Sequence, residues 1–470
     1  ISVLMPVYNV DPKWLDLAVK SVQQQLYPNW ELCIVDDCSS HKATVEYLRQ
    51  LNDPRIKIKY LKENKKIAAS SNEAASMANG EYIALLDHDD ELTPDALLEV
   101  VNHLQETKYD LLYTDEDKVD VDGNRKNPLY KPDWSPDLLR SQMYFGHLLV
   151  IKKSMFDKVG GFRVGFEGAQ DYDLVLRITE DPGCKIKHIS KVLYSWREIP
   201  SSTALNPYAK PYAHVAGLNA VGEHLVRMYG QGKAWVEETD YLFVYNARYR
   251  LEENLKVSII IPTKDKVELL EPCIESIVDM TDYPDYEILI MNNNSEEETT
   301  FKWFEEALRK YSNKIKIINA NYPFNWSKLN NHGIREASGD VFVFLNNDTQ
   351  VLTSDWLTRL AEKAVRPDVG TVGALLLFED GTIQHAGVVI GMGGWADHVF
   401  KGLTPVHYGS PFISPMVVRN VSSNTGACLA ISRKTIEKIG DFDEEFIVCG
   451  SDVEISIRAM KHGLFNIYDP

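Results

Sequence analysis

SVLMPVYNVDPKWLDLAVKSVQQQLYPNWELCIVDD, residues 2–37, decides the fold. An apolar, β-branched run closes on proline and reads as a strand. WLDLAVKSVQQQL (Trp14–Leu26) then places Leu15, Ala18, Val19, Val22 and Leu26 on one helical face. ELCIVDD is a short apolar strand ending on two aspartates. Strand, helix and strand in this order form a βαβ unit, whose crossover implies a parallel sheet. A third strand, IKIKYL (Ile56–Leu61), another helix and a fourth strand, YIALLD, complete a doubly wound half. Ligands in such sheets sit at the C-terminal strand edges, where Asp36, Asp37, Asp87 and Asp89 fall.

The chain then repeats itself. Val257–Asp265 (VSIIIPTKD) echoes Ser2–Asn9, Glu287–Glu296 echoes Glu31–Ser40, and Ser338–Thr349 echoes Asn79–Asp90. GDFDEEFIVCGSDVEI (Gly440–Ile455) echoes GGFRVGFEGAQDYDL (Gly160–Leu174). The offset is 256 at Ser2/Ser258, 259 at Asp87/Asn346 and 281 at Asp171/Asp452. The second copy therefore carries an insertion, expected in the Gly-rich stretch Gly381–Gly402. A period this long marks a duplicated domain, since solenoid units repeat every 20–50 residues or so. The expected domains are 1–208 and 255–470. Residues 209–254 form an ordered helix-and-strand connector, with the boundary near Asn254.

Composition excludes several function classes. A net charge of −18 argues against nucleic acid as a partner, although KENKK (Lys62–Lys66) is a local basic patch. The six cysteines are scattered without a CxxC pair, so they signal neither zinc nor disulfides, and buried reduced thiols of a cytoplasmic protein are expected. No apolar run approaches the roughly 18 residues of a membrane helix. Ile1 already lies in a strand and Pro470 follows NIYDP abruptly, so both ends are expected to be cut and a membrane-associating tail could lie outside. GxGxxG, P-loop and GxSxG signatures are missing, which argues against dinucleotide, P-loop and hydrolase chemistry.

LLDHDDEL (Leu85–Leu92) is a strand running into three aspartates. It is either a solvated acidic turn or a place where carboxylates share one hard cation with a phosphate-bearing ligand. It lacks the glycine and late glutamate of an EF-hand. Asp171 opens a predicted helix, as a cap or as a general base for a sugar hydroxyl. WREIPSSTA (Trp196–Ala204) offers a Trp–Arg pair suited to diphosphate. Tyr144, Phe145 and Trp196 could flank sugar faces or pack in the core.

In this order, PVYN, VDDCS, NGEYIALLDHDD, GGF and QDYDL resemble glycosyltransferase family 2, inverting nucleotide-sugar enzymes of the GT-A fold. The resemblance covers nearly the whole chain and applies twice. KPDWSPDLL, GAQDYDL, IQHAGVVIG and TGACLAISR bring it nearest to tandem transferases of bacterial surface polysaccharides, of O-antigen, capsule and rhamnan types. It implies an α/β protein of two Rossmann-like GT-A domains in tandem. In the first, Pro6 and Tyr8 border the base pocket, Asp37 binds uracil or thymine, Asp87 meets the ribose, and Lys66 meets base or phosphate. Asp89 holds Mn²⁺ or Mg²⁺, and Asp171 deprotonates the acceptor. In the second, Pro262, Thr263, Asn293 and Asn346 take the nucleotide-sugar roles, Asp348 the metal and Asp452 the base. Lys264 stands where the first copy has Tyr8, and Gln170–Asp171 and Ser451–Asp452 replace the usual Glu-Asp. Because the family continues past a motif like NIYDP to a histidine near the metal, the second domain is expected to be incomplete at its C-terminus.

The resemblance implies inverting, metal-dependent transfer from a UDP- or dTDP-sugar to a glycan or lipid-linked oligosaccharide. The enzyme would be a hexosyl- or deoxyhexosyltransferase. It would work in the cytoplasm, either free or peripherally on the cytoplasmic face of the inner membrane beside polysaccharide-assembly partners, and two active sites are expected. The alternatives are one catalytic domain beside a second that only binds, or a nucleotide-sugar-binding protein without turnover.

Overall fold

A computed structural model describes residues 1–199, 211–252, 255–311, 313–408 and 414–470. Of these, residues up to Ala247 form one compact unit and residues from Arg248 onward a second. The expected boundary at Asn254 and residues 200–204 of the Trp–Arg segment lie outside the described residues.

Each unit is built on one large mixed sheet. In the first, the strand order is Ile56–Tyr60, Glu31–Asp36, Ser2–Val7, Tyr82–Leu85, Leu149–Lys152, Leu111–Val119, Ile186–Arg197 and Glu91–Leu92. The second runs Ile315–Asn319, Tyr286–Asn292, Val257–Thr263, Val341–Leu345, Cys428–Ser432, Val369–Ala374, Phe465–Asp469 and Arg419–Val421. The first four strands of each order are parallel, and the fifth runs antiparallel to both neighbours. The sheets are therefore doubly wound at one side and mixed at the other. Buried Val3, Met5, Leu32, Ile34, Leu15, Val19 and Val22 form the core of the first unit beside its first helix. Ile259, Ile261, Ile288, Ile290, Leu270 and Ile274 do so in the second.

That first helix spans Pro12–Gln23, with Asp11 capping the Lys13 N–H at 2.8 Å. It ends before Leu26, contrary to the helical-face reading. The Gln25 amide donates to the carbonyls of Ser21 and Thr93, which turns the chain away and leaves Leu26 63% exposed. The cysteines also depart from expectation: all six are free, but Cys38 and Cys449 are exposed. Tyr144 and Phe145 are core residues, with Phe145 stacked on Tyr113 at 4.1 Å.

Residues 211–247 of the expected connector belong to the first unit. Helix Pro211–Tyr229 packs on helix Gln170–Thr179. Arg227 Nε and His224 Nδ1 each lie 2.9 Å from Glu180. The extra length of the second copy falls between strands Val369–Ala374 and Cys428–Ser432, as short hairpins around Gly381–Gly402. Among the described residues, no helix is long and apolar enough to cross a membrane.

At the N-terminal edge of each sheet, one glutamate ties the strand starts together. Glu31 accepts from Ser2 Oγ at 2.5 Å, Lys57 Nζ at 2.6 Å and the N–H groups of Asn79 and Gly80. Glu287 accepts from Ser258 Oγ at 2.8 Å, Lys316 Nζ at 2.7 Å, and both the N–H and Oγ of Ser338 at 2.7 Å. A Cβ at Gly80 would come within 2.7 Å of Ser2 Oγ, and one at Gly339 within 2.6 Å of Ser258 Oγ, so glycine is required in both loops. Burial alone would raise both carboxyls, but the hydrogen bonds, led by Lys57 and Lys316, hold each down to about 2.

A depressed carboxylate stabilises the fold above its unfolded pKa and loses that contribution as pH falls through the folded value. Against 4.5 unfolded, a value of about 2 corresponds to roughly 3 kcal/mol. Urea unfolding of Glu287→Gln beside the parent should show a deficit of that order at pH 7. The deficit should shrink as pH falls from 4.5 toward 2.

Candidate active site

The opposite, C-terminal edge carries the acidic residues. Strand Ser2–Val7 ends there with Pro6 and the 48% exposed Tyr8. The Asp37 N–H donates to Val7 O at 2.8 Å, and His88 Nδ1 lies 3.0 Å from Pro6 O, so both acidic turns flank the end of this strand. Lys66 is exposed, at the start of helix Lys66–Met77.

Within the DHDD turn the aspartates have different jobs. Asp90 is buried; its Oδ1 accepts from Arg197 N–H at 2.7 Å and its Oδ2 from Tyr194 Oη at 2.5 Å. Arg197 is fully occupied: Nε donates to Asp89 O at 2.8 Å and the guanidinium pairs with Glu91. Expected as a diphosphate contact, Arg197 instead stiffens the acidic turn. The carboxylates of Asp87 and Asp89 accept no hydrogen bond from another described residue. Burial first, and then neighbouring aspartates, push Asp90 well up; burial likewise pushes Asp89 up, with Asp87 adding to it while His88 opposes.

This concentration of under-compensated negative charge fits a divalent cation. Asp87, Asp90 and His147 each offer a ligand atom within 4.8 Å of the others. Asp89, in the same turn, lies outside that set of three, and each Asp90 oxygen, accepting one hydrogen bond, keeps a second lone pair for an ion. Asp171, at the start of helix Gln170–Thr179, joins the same cluster. Burial raises its pKa, His147 opposes the rise and Asp87 adds to it.

A clamp holds the helix bearing Asp171. Asp173 is bound by Arg177 Nε at 2.9 Å and by Arg163, and Arg177 donates onward to the carbonyls of Val159 and Gly161. Asn72 exchanges two hydrogen bonds with the backbone of Phe162, at 2.8 and 2.9 Å. The second copy repeats both devices. Glu454 pairs with Arg458, which donates to Ile439 O and Asp441 O. Asn331 exchanges two hydrogen bonds with Phe442. Asp452 is thereby set like Asp171, with its Oδ2 accepting from Gly426 N–H at 2.9 Å. Asn346 N–H donates to the neighbouring Ala427 O at 3.1 Å, which ties the fourth-strand turn to this region.

Beside Pro262 at the end of the second unit's first strand, Thr263 Oγ1 accepts from Asn347 Nδ2 at 3.1 Å, while Asp348 is exposed. Lys264, in the place of Tyr8, pairs with Glu296 at 3.3 Å. The exchange of Asp37 for Asn293 has a local cause. Asp37 Oδ1 accepts from the Lys65 N–H at 2.7 Å, a partner that needs an acceptor. Asn293 Nδ2 donates to the carbonyls of Ala320 and Tyr322 at 2.8 and 2.9 Å, partners that need a donor.

Sequence reasoning missed His147, Asp90 and Tyr194 in the first site and His385 and His398 in the second. His147 stands two residues before the strand that pairs with YIAL, and His385 lies in the quoted IQHAGVVIG, so both stood at readable positions.

The sequence profile of glycosyl transferase family 2 matches residues 2–171 and 258–440. The chain belongs to that family, and its two sheets are GT-A domains in tandem. An uncharacterized protein of Sinorhizobium fredii, y4gI, is 41% identical over 475 residues, covering 100% of this chain and 52% of the relative. The O-antigen biosynthesis protein RfbC of Myxococcus xanthus is 39% identical over 467 residues, covering 99% of this chain and 36% of the relative. The chain thus spans about half of one relative and about a third of the other. Among solved structures, residues 1–349 of S. aureus TarS in complex with UDP-GlcNAc overlap 48% of this chain and 66% of that one, at 18% identity and a TM-score of 0.40.

Asn293→Asp would face a carboxylate toward two carbonyls and remove both donors. It should lower unfolding free energy by about 2 kcal/mol or more, whereas Asp37→Asn, which can still present an oxygen to Lys65 N–H, should cost less. Denaturant melts of the two variants check the order.

Proposed function

We propose that this chain transfers sugars from nucleotide-diphosphate donors to a growing bacterial surface glycan, with inversion and at two active sites. The observation that carries the reading is the recurrence of one arrangement at both C-terminal sheet edges. A carboxylate in the turn after the fourth strand, Asp89 or Asp348, accompanies a carboxylate at the head of a clamped helix, Asp171 or Asp452. Likeness to a protein named for O-antigen biosynthesis supports the surface-glycan assignment.

Tyr8 and Pro6 would border a uracil or thymine, with Asp37 as a hydrogen-bond acceptor for the base and Asp87 for the ribose; Lys66 is free to approach base or phosphate. Pro262, Thr263, Asn293 and Asn346 take these places in the second site. Asp89 would hold Mn²⁺ or Mg²⁺ in the first site and Asp348 in the second; when bound, the ion offsets diphosphate charge. Asp171 and Asp452 take the proton of the acceptor hydroxyl as its oxygen bonds to the anomeric carbon, while the bond from that carbon to the diphosphate breaks on the opposite face and the nucleoside diphosphate leaves. For Asp171, burial raises the proton affinity toward what such a base needs. The acceptor is a glycan or lipid-linked oligosaccharide, and the sugar a hexose or deoxyhexose. The chain would act at the cytoplasmic face of the inner membrane.

Asp89→Ala and Asp348→Ala should each abolish a different transfer. If Asp348→Ala leaves every activity intact, the second domain only binds. Asp171→Asn should keep the melting shift given by UDP- or dTDP-sugar with Mn²⁺ and lose first-site turnover by about 100-fold or more. Unchanged turnover would remove Asp171 as the base.

A further inference from the structure

Strand pairing aligns the two sites residue by residue. Ala84 pairs with Val150 in the first unit, and Val343 with Ala430 in the second. Three residues before these partners stand His147 and Ala427, so the imidazole that neighbours Asp171 is replaced by a methyl group beside Asp452. The space is not closed. Ala427 lines a cavity of about 180 Å³ together with His385, His398, Lys401 and Thr425.

His398 comes from the insertion that the first copy lacks. Its hairpin pairs Val388–Ile390 with Ala396–His398 and is joined to Ser423 by two backbone hydrogen bonds, of 2.9 and 3.2 Å. Ser423 Oγ in turn donates to Asp452 O at 3.2 Å. Gly426, between two cavity-lining residues, donates its N–H to the Asp452 carboxylate. Behind His398 lies the fully buried His385, Nδ1 to Nδ1 at 2.9 Å. One proton is shared between those two nitrogens, so the tautomer of each ring sets that of the other. Burial pushes His385 down to about 3; burial and then Lys401 push His398 down, with Asp397 and Asp452 opposing. Both rings are therefore uncharged at neutral pH.

We infer that His398, supplied by the insertion and held by His385, is the positioning residue of the second site, standing in for His147 from a different element. It acts on Asp452 through the Thr425–Ala427 segment that shares its cavity, whose Gly426 N–H holds the Asp452 carboxylate. The duplication thus preserved the imidazole's place beside the base while changing the segment that delivers it. This inference rests on the reading of Asp452 as proton acceptor.

The test uses the full chain and the transfer abolished by Asp348→Ala. His398→Ala should lower kcat of that transfer by about 10- to 100-fold, with donor KM, first-site transfer and melting temperature close to the parent. Moving the ring, as His398→Ala with Ala427→His, should recover part of the lost kcat; His398→Asn, which keeps a hydrogen-bonding group, should lie between. An unchanged kcat in His398→Ala overturns the inference. So does a loss that neither Ala427→His nor His398→Asn relieves. If Asp348→Ala removes no transfer at all, the two-site reading has failed, and this inference falls with it.

Discussion

Each domain depends on a carboxylate that does no chemistry. Glu31 and Glu287 gather the starts of the first, second and third strands and the loop before the fourth. Strands in a parallel sheet rise about 3.3 Å per residue, so pinning their starts also sets where their ends emerge. Asp37 and Asp87, fifty residues apart in sequence, reach one edge because their strands are held at a common stagger. The close approach at Gly80 and Gly339 is the same constraint seen from the loop.

A second constraint operates across the sheet. The Asn72–Phe162 and Asn331–Phe442 exchanges, with the Arg177 and Arg458 clamps, anchor the helices that present Asp171 and Asp452. These devices recur although the residues around them have diverged. What differs between copies is the lining of the edge: Asp37, which accepts from a backbone N–H, is matched by Asn293, which donates to two carbonyls, and His147 is matched by Ala427, which shares a cavity with His398 of the inserted hairpin. The framework is duplicated and the site is rebuilt.

Much of this was legible in the sequence. The alternation of apolar strands with amphipathic helices is local, and so are the polar strand ends, which is why Ser2–Val7, Glu31–Asp36 and their counterparts stand where periodicity placed them. Membership of glycosyl transferase family 2 followed from the ordered motifs. Leu26 continued the helical pattern but lies past the point where Gln25 turns the chain. Long-range partnerships were hidden. Asp90 looks like its neighbours until Tyr194 and Arg197 arrive from a strand about a hundred residues later. Arg197 looks available for phosphate until Glu91 takes its guanidinium. The meaning of Asn293 lies in carbonyls some 27 residues away.

We propose that the duplication left two nucleotide-sugar sites rather than one site and a remnant. Calorimetric titration of the chain with uridine and thymidine diphosphates in turn, each with Mn²⁺, tests it most directly. Two binding events per chain are expected over the two nucleotides, one lost on altering Asp89 and the other on altering Asp348. A single event, unaffected by any change at Asp348, would contradict it.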